Sequence, residues 1–296
     1  MTGFPKTAPG VLCGLARDAA SAEHDWITES MKTSHELGPT LLKPLAWIGA
    51  LPVAAAVLIA LRAAGDEVGA PDWPTSEFHF TRMMYSEGGG YRFRGGGYGS
   101  WTVDYPEAEY HFSQGVSRLT RLDVGQQARI LRVTDDTIFD YPWLYAVEVG
   151  HWYLDEHEAG RLREYLLRGG FLMVDDFHGS YEWQGFMESM NRVFPDRAVV
   201  DIEDGDEVLH ALYDLDQRIQ IPGIAALSRG VTYERDGVVP RWRGVYDDEG
   251  RLMVAINHNM DLGDAWEHAD DPRYPEPMTG LAYRFAVNYV IYAMTH

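Results

Sequence analysis

The stretch LDEHEAGRLREYLLRGGFLMVDDFHG, residues 154–179, decides the fold of this chain. Asp155 and Glu158 have the spacing of a helix N-cap and its capping-box glutamate. Gly169-Gly170 ends the helix, and Phe171–Val174 is an apolar run typical of a strand covered on both faces. A helix that leads directly into a buried strand is the repeating unit of a parallel α/β sheet. The residues after the strand are therefore expected at the carboxyl edge of such a sheet.

Elements of the same kind occur on both sides of this stretch. Strands and helices alternate with short connections, so we predict an α/β domain with a doubly wound, mainly parallel sheet flanked by helices. The turn Asp247-Asp248-Glu249-Gly250 separates two apolar runs and predicts a hairpin. The predicted strands are Phe78–Tyr85, Ala128–Val133, Trp143–Val149, Phe171–Val174, Ala198–Ile202, Gly230–Glu234, Trp242–Tyr246 and Leu252–Ile256. Besides the helix after Asp155, the predicted helices are Asp104–Leu119, Tyr181–Val193, Glu207–Leu212 and Leu281–Met294.

Composition excludes several classes of function. The formal net charge of -20 argues against non-specific nucleic-acid binding, which requires clustered Lys and Arg. Cys13 is the single cysteine, so an internal disulfide and a cysteine zinc site are both excluded. No G-x-S-x-G motif is present, and Cys13 lies far upstream of the predicted fold. Nucleophilic catalysis by serine or cysteine is therefore not predicted.

The first 76 residues divide into three segments ahead of a folded domain at 77–296. Residues 1–40 mix charged and small residues without periodicity, and we interpret them as poorly ordered. Residues 41–64 contain the hydrophobic segment Leu45–Leu61, whose 17 uncharged residues are near the short limit for a spanning helix. An uncleaved membrane anchor is the favoured interpretation, ahead of a cleaved signal peptide and a buried soluble helix. Residues 65–76 form a polar linker.

Ionisable residues follow the central strand directly. Asp175, Asp176 and His178 lie where open parallel sheets place their ligand sites. They could hold a metal ion or form a carboxylate–histidine pair for acid–base catalysis. The alternative is structural, with one aspartate capping a helix and the other binding loop backbone.

A second polar cluster follows the last predicted strand. It contains Asn257, His258, Asn259, Asp261 and Asp264. The oxygen ligands suggest a cation, but the spacing departs from an EF-hand, and Asn and Asp also form ordinary Asx turns. We assign Asp175, Asp176, His178 and His258 as candidate catalytic residues, and Asn257 and Asn259 as candidate ligand-binding residues. Asp176, His178, Asp261 and Asp264 are the candidate metal ligands, and a divalent metal ion is the one cofactor considered.

Other candidate ligand-binding residues surround a glycine-rich loop. Seven glycines lie between Gly88 and Gly99, a density that no regular element tolerates. Arg92, Arg94 and Trp101 could close over an anion or a sugar, although such a loop needs no function. Asp135 and Asp136 follow a predicted strand and are expected in the same crevice.

Several separated motifs resemble one known family. FDYPWLYAVEVGHWYLDEHEAGRLREYLLRGGFLMVDDFHG, VFPDR, NHNMDLGDAWE and FAVNYVIYAM, in this order, resemble the domain-of-unknown-function 4159 family over about residues 77–296. The resemblance implies a class I glutamine amidotransferase-like, flavodoxin-like fold in a bacterial protein, in a family where many members carry N-terminal membrane segments. Asp175 and Asp176 occupy the place of the amidotransferase cysteine. Because a carboxylate cannot form the thioester intermediate, glutaminase activity is not expected.

The leading hypothesis is therefore a membrane-anchored amidotransferase-like domain on the outer side of the bacterial inner membrane. It would act as a ligand-binding or interaction module of the cell envelope, with envelope proteins as partners and no nucleic acid. The alternative is a metal-dependent hydrolase acting on a carbohydrate or an amide through the Asp/His residues.

Overall fold

The computed structural model describes residues 76–88 and 99–296. The hydrophobic segment Leu45–Leu61 and the loop arginines Arg92 and Arg94 lie outside the described residues. Within the described ranges, no helix is both long enough and apolar enough to cross a membrane.

A seven-stranded mixed sheet forms the centre of the domain. Its strand order is β3-β1-β4-β6-β9-β8-β7. The first five of these run parallel, and β8 runs antiparallel to both of its neighbours. A separate antiparallel pair joins β2 to β5. The strands are β1 Thr81–Met83, β2 Ser86–Glu87, β3 Arg129–Leu131, β4 Trp143–Val147, β5 Trp152–Tyr153, β6 Phe171–Asp175, β7 Val200–Asp201, β8 Arg241–Tyr246 and β9 Leu252–His258.

Helices cover both faces of this sheet. The helices are α1 Glu107–Leu119, α2 Glu156–Leu167, α3 Gly179–Val193, α4 Ile224–Ser228, α5 Leu262–Glu267 and α6 Glu276–Thr295, with 3-10 turns at Ser100–Thr102, Asp136–Asp140 and Glu207–Leu209. Side chains of α1, α5 and α6 pack in one core with Trp143 and Tyr145 of β4. Side chains of α2 and α3 pack in a second core with Leu144 and Ala146. Alternate residues of one strand thus point into opposite cores, which accounts for its unbroken apolar run.

Residues 154–179 form the predicted helix, helix end and buried strand. Asp155 accepts a hydrogen bond from the Glu158 N–H, and Glu158 returns one to the Asp155 N–H, which completes the capping box of α2. Gly169 follows with a φ of 109°, a left-handed conformation that glycine adopts without strain. β6 then lies between β4 and β9 with every residue buried.

The structure corrects several predicted boundaries. The predicted strand Gly230–Glu234 is absent from the described residues, because Gly230 and Arg235 have left-handed φ values that interrupt an extended chain. The residues just before it form the short helix α4, which was not predicted. Asp104 has a φ of 65° and precedes α1, so that helix begins at Glu107. The hairpin of β8 and β9 is confirmed, with β9 continuing through Asn257 and His258.

The order of the strands defines a crevice. The connection from β1 to β3 runs through α1 on one face, whereas the connection from β4 to β6 runs through α2 on the other face. The chain thus leaves the adjacent strands β1 and β4 in opposite directions. In open α/β sheets, ligands bind outside the carboxyl ends of the strands at such a switch point.

Candidate functional site

Three adjacent strands end in residues with left-handed backbone. Glu148 follows β4, Asp176 follows β6 and Asn259 follows β9, with φ values of 53°, 49° and 65°. Asn and Asp tolerate this conformation better than a longer residue such as Glu. Strained backbone of this kind concentrates at binding and catalytic sites. The carboxyl edge of β4, β6 and β9 is therefore the candidate functional site.

The two polar clusters of the sequence meet at this edge. β6 pairs with β9, and the Asp176 N–H donates to the Met260 carbonyl over 3.1 Å. Beside it, the Asn259 N–H donates to the Phe177 carbonyl over 3.0 Å. The loops after the two strands are thus held side by side by backbone hydrogen bonds.

Three carboxylates converge there, and we call them the three-aspartate cluster: Asp104, Asp176 and Asp261. Each contributes an oxygen that lies within 4.8 Å of the other two. Asp176 and Asp261 are buried, and Asp104 is partly buried with its Oδ2 atom enclosed. Among the described residues, Asp104 Oδ2 has no hydrogen-bond partner. A buried oxygen without a donor is costly and requires a ligand, a water or a proton.

Asp104 was not predicted from the sequence. It lies at the end of the long connection between β1 and α1, directly before Tyr105-Pro106. Strand order brings this connection to the switch point, beside the loops that follow β6 and β9. The signal in the sequence was weak: Asp104 lies in a loop after the glycine-rich stretch, and loops positioned by a rigid scaffold often carry binding residues.

Burial and neighbouring negative charges both disfavour ionisation of the cluster. Burial raises the pKa values of Asp104, Asp176 and Asp261 well above the usual range, and neighbouring carboxylates raise them further. Arg82 opposes this effect at Asp104, and Arg235 opposes it at Asp176. These arginines also form ion pairs with Glu109 and Glu182, respectively. The cluster therefore favours the uptake of protons or of an added cation.

Asp264 lies next to the cluster and holds two helices together. Its Oδ2 accepts the Ile224 N–H over 2.6 Å, and His268 Nε2 lies 3.4 Å from its Oδ1. Burial opposes its ionisation, but the hydrogen bonds from His268 and Ile224 outweigh burial and lower its pKa. Asp264 thus adds negative charge near the cluster while one of its oxygens stabilises the start of α4.

Asp175 is a structural residue. Its Oδ2 accepts the N–H groups of Leu262 and Gly263 over 2.7 and 3.0 Å, and so caps the start of α5. Burial, followed by the charge of Asp176, raises the pKa of Asp175 to about 8. The capping interpretation therefore fits Asp175, although the helix that it caps follows β9 rather than β6.

Asp176 and His178 form a carboxylate–histidine pair. His178 Nε2 lies 3.0 Å from Asp176 Oδ1, and both side chains are largely buried. Burial lowers the pKa of His178, which favours the neutral ring. Among the described residues, His178 Nδ1 has no hydrogen-bond partner. A neutral imidazole beside a carboxylate can accept or relay a proton.

A second group of ionisable residues lies beside the first and was also not predicted. His151 Nε2 is 3.1 Å from Glu182 Oε1 and 3.5 Å from Glu148 Oε2. Burial, then the charges of Asp176 and Glu182, raise the pKa of Glu148 well above its usual range. Burial also opposes the ionisation of Glu182, but hydrogen bonds from His151 and the His178 N–H outweigh it and lower the pKa. Glu182 therefore carries the charge of this group, balanced by Arg235.

Comparison with known proteins identifies the family. A family model described as a domain of unknown function (DUF4159) matches residues 80–294. The chain belongs to the DUF4159 family. Among curated proteins, no match is found.

The remaining polar candidates of β9 have structural roles in this DUF4159 domain. Asn257 donates to the Val174 carbonyl and accepts from Tyr289, so it ties β9 to β6 and α6. Asn259 accepts the Gly179 N–H and donates to the Val239 carbonyl. His258 packs between Phe177 and Trp183, and its Nε2 lies 3.2 Å from the Gly179 carbonyl. These residues support the edge of the sheet without joining the three-aspartate cluster.

The other candidates lie apart from the cluster. The Asp135 carboxylate accepts the Arg132 N–H in a local turn, and Asp136 is exposed and pairs with Arg161 of α2. The Trp101 ring is buried in the second core, and its carbonyl accepts from Arg82. The predicted closure of Trp101 over an anion or a sugar is therefore not supported by its position.

Proposed function

We propose that this DUF4159 domain binds a divalent cation through the three-aspartate cluster and uses it to bind a ligand at the carboxyl edge of the sheet. The observation that carries the proposal is the convergence of Asp104, Asp176 and Asp261 within 4.8 Å, with Asp104 Oδ2 buried and without a donor among the described residues. A cation would neutralise carboxylates whose charges oppose one another.

The chemistry of the donors selects the class of metal. Carboxylate oxygens are hard ligands that suit Mg²⁺, Mn²⁺ or Ca²⁺ rather than thiolate-seeking metals. Mg²⁺ in particular is commonly held by a few carboxylates, with water or ligand oxygens completing its coordination. His178 bonds to Asp176, and Asp264 bonds to the Ile224 N–H. Asp104, Asp176 and Asp261 are the three residues whose oxygens converge within 4.8 Å, so they form the proposed ligand set, with His178 and Asp264 outside it.

Titration of the purified full-length chain with MgCl₂, MnCl₂ and CaCl₂ tests the cation site. At about 100 times its Kd, a cation that binds the folded state alone should add about 2.7 kcal/mol to the unfolding free energy. Asp104→Asn, Asp176→Asn and Asp261→Asn should each lose this response. Without cation, each should be more stable than the wild type, because one of three opposed charges is removed. Asn suits these positions, since it tolerates the left-handed backbone and can still cap a helix.

Asp136→Asn is the matched control. Asp136 is exposed, pairs with Arg161 of α2 and is not a member of the three-aspartate cluster, so this variant should keep the full cation response. A wild type whose calorimetric titration and melting temperature are unchanged by all three cations would contradict the proposal.

Metal-dependent hydrolysis is a second candidate, favoured by the contact of 3.0 Å between His178 and Asp176. In that case His178 would move a proton while the cation oriented the ligand. His178→Gln distinguishes cation-dependent ligand binding from metal-dependent hydrolysis. It should retain the cation response in both cases, but only a hydrolase would lose turnover of a substrate that the wild type hydrolyses.

The type of α/β fold is also proposed. We infer a doubly wound, amidotransferase-like domain, supported by the parallel strands, the helices on both faces and the tight turn from β6 through Asp176 into α3. Asp175 and Asp176 precede this turn instead of a cysteine. Thioester chemistry is therefore not proposed.

Placement in the bacterial cell envelope rests on the sequence of the hydrophobic segment Leu45–Leu61. We infer that this segment anchors the chain in the inner membrane, with the acidic domain on the outer side and envelope proteins as partners. In cell fractions, the full-length chain should remain with membranes after a high-salt wash. Recovery in the soluble fraction at its full mass would exclude the anchor.

A further inference from the structure

A separate cleft lies between α3 and the β4–β5 turn. Its volume is about 390 Å³, which is large enough for one or two sugar rings. Its walls include Trp152 and Tyr153 of β5 and one side of α3. The three-aspartate cluster contributes none of its lining residues.

Two glycines bring the walls of the cleft together. A Cβ atom on Gly185 of α3 would lie 2.2 Å from the Gly150 carbonyl oxygen, and one on Gly150 would lie 2.4 Å from Glu182 Cβ. Only glycine therefore permits this approach of the helix to the turn. The result is a lining of bare backbone, next to which His151 is buried and bonded to Glu182.

Tyrosine rings stand at the rim. Tyr181 is 74% exposed and Tyr153 is 43% exposed, which is unusual for large aromatic side chains. The guanidinium of Arg192 lies 4.9 Å from the centroid of the Tyr153 ring and helps to hold that ring in place. An exposed, oriented aromatic face can stack on the apolar C–H face of a sugar ring.

Polar side chains line the same space. Gln184 and Glu188 are four residues apart on α3, so they project from one face of the helix into the cleft. The amide both donates and accepts hydrogen bonds, and the carboxylate accepts them. Hydroxyl groups of a saccharide both donate and accept, so they match this set. Glu188 and the nearby charged Glu182 oppose the entry of an anionic ligand such as a nucleotide.

We propose that this cleft binds a neutral saccharide, with Tyr181 and Tyr153 stacking on sugar rings and with Gln184 and Glu188 bonding to hydroxyl groups. This saccharide site does not require the proposed cation, because none of these four residues belongs to the three-aspartate cluster. The bound sugar would nevertheless lie beside His151, whose partners Glu148 and Glu182 adjoin Asp176.

Calorimetry on the purified full-length chain tests this site, with cellohexaose and chitohexaose as the neutral probes and EDTA present throughout. The wild type should bind at least one probe. Tyr181→Ala should weaken that binding about tenfold by removing the stacking surface. Gln184→Ala should weaken it by a smaller factor. Both side chains are exposed, so neither change should disturb the fold.

Tyr110→Ala supplies the matched control, because Tyr110 is a half-exposed tyrosine on α1 that does not line this cleft. It should bind the probe as the wild type does. Failure of the wild type to bind either oligosaccharide, or equal affinity in the wild type and Tyr181→Ala, would overturn the saccharide site. Because EDTA is present, the result is separate from the fate of the cation proposal.

Discussion

Arg82→Met should lower the unfolding free energy by about 3–5 kcal/mol, because it leaves the Glu109 carboxylate buried without its partner. Arg82 is 0% exposed and Glu109 is 3% exposed, and their side chains form an ion pair. Arg82 also donates to the carbonyls of Trp101 and Val103, each over 2.9 Å. It therefore connects β1, the segment before Asp104, and α1. Urea denaturation measures the loss directly.

The double variant Arg82→Met/Glu109→Leu is the control for this prediction. It removes both charges, so the carboxylate is no longer stranded and the part of the loss that is due to the stranded charge should return. The two carbonyls would still lack a donor, at a cost of about 1–3 kcal/mol for each one left unsatisfied. If the double variant were as unstable as the single variant, the main role of Arg82 would lie in those backbone contacts rather than in the ion pair.

His258→Phe should remove a large part of the sensitivity to acid. Burial lowers the pKa of His258 from 6.5 to about 4, and the charges of Arg243 and His178 contribute, against the opposing effects of the Gly179 carbonyl and Glu182. Arg243 belongs to β8, His178 to the β6–α3 turn and Glu182 to α3, and Asp236 faces the ring from the segment before β8.

The direction of the pH dependence follows from the protonation of His258 in the folded and unfolded chain. Between pH 6.5 and about 4, the ring is protonated in the unfolded chain and neutral in the folded one. Stability is therefore complete above pH 6.5 and falls as the pH decreases toward 4, by a total of about 3 kcal/mol. His258→Phe keeps an aromatic ring between Phe177 and Trp183, so the pH dependence should become shallower by this amount. Urea denaturation at about pH 7.5 and about pH 4 measures the difference between variant and wild type.

Phe177→Leu is the control that distinguishes the protonation of His258 from the loss of side-chain packing around it. Phe177 contacts the His258 ring at a centroid distance of 4.9 Å but carries no ionisable group. Its loss should lower stability by a similar amount at both pH values. Equal slopes for the wild type and His258→Phe would show that His258 does not govern the response to acid.

Local patterns predicted most of the fold. The capping box of Asp155 and Glu158, the stop at Gly169 and the hairpin turn after Tyr246 depend on residues within a few positions of one another. Such signals act before distant contacts form, so one sequence suffices to interpret them. The strand predicted at Gly230–Glu234 was wrong, because Gly230 and Arg235 adopt left-handed backbone and the Thr232 hydroxyl donates to the side chain of Gln220. Distant residues also bind the chain just after this segment. Asn259 donates to Val239, and Gln220 donates to Gly237.

Part of the site was also predicted from the sequence. Asp176 and Asp261 follow apolar strands, and the carboxyl end of a parallel strand is a general position for ligands. The sequence could not separate Asp175 from Asp176. That distinction depends on α5, whose first N–H groups bind Asp175 and leave Asp176 to face Asp104 and Asp261.

The sequence by itself thus determined the class of fold, the family, and the edge of the sheet at which chemistry is expected, because periodicity and capping are local properties of the chain. Only the tertiary structure decided which side chains meet there. Asp104 and Asp261 are separated by more than half of the domain, and strand order alone brings them together beside Asp176. The same holds for the cleft, where two glycines far apart in the chain let a helix approach a turn. Distances between residues remote in sequence are set by packing, which no local pattern encodes.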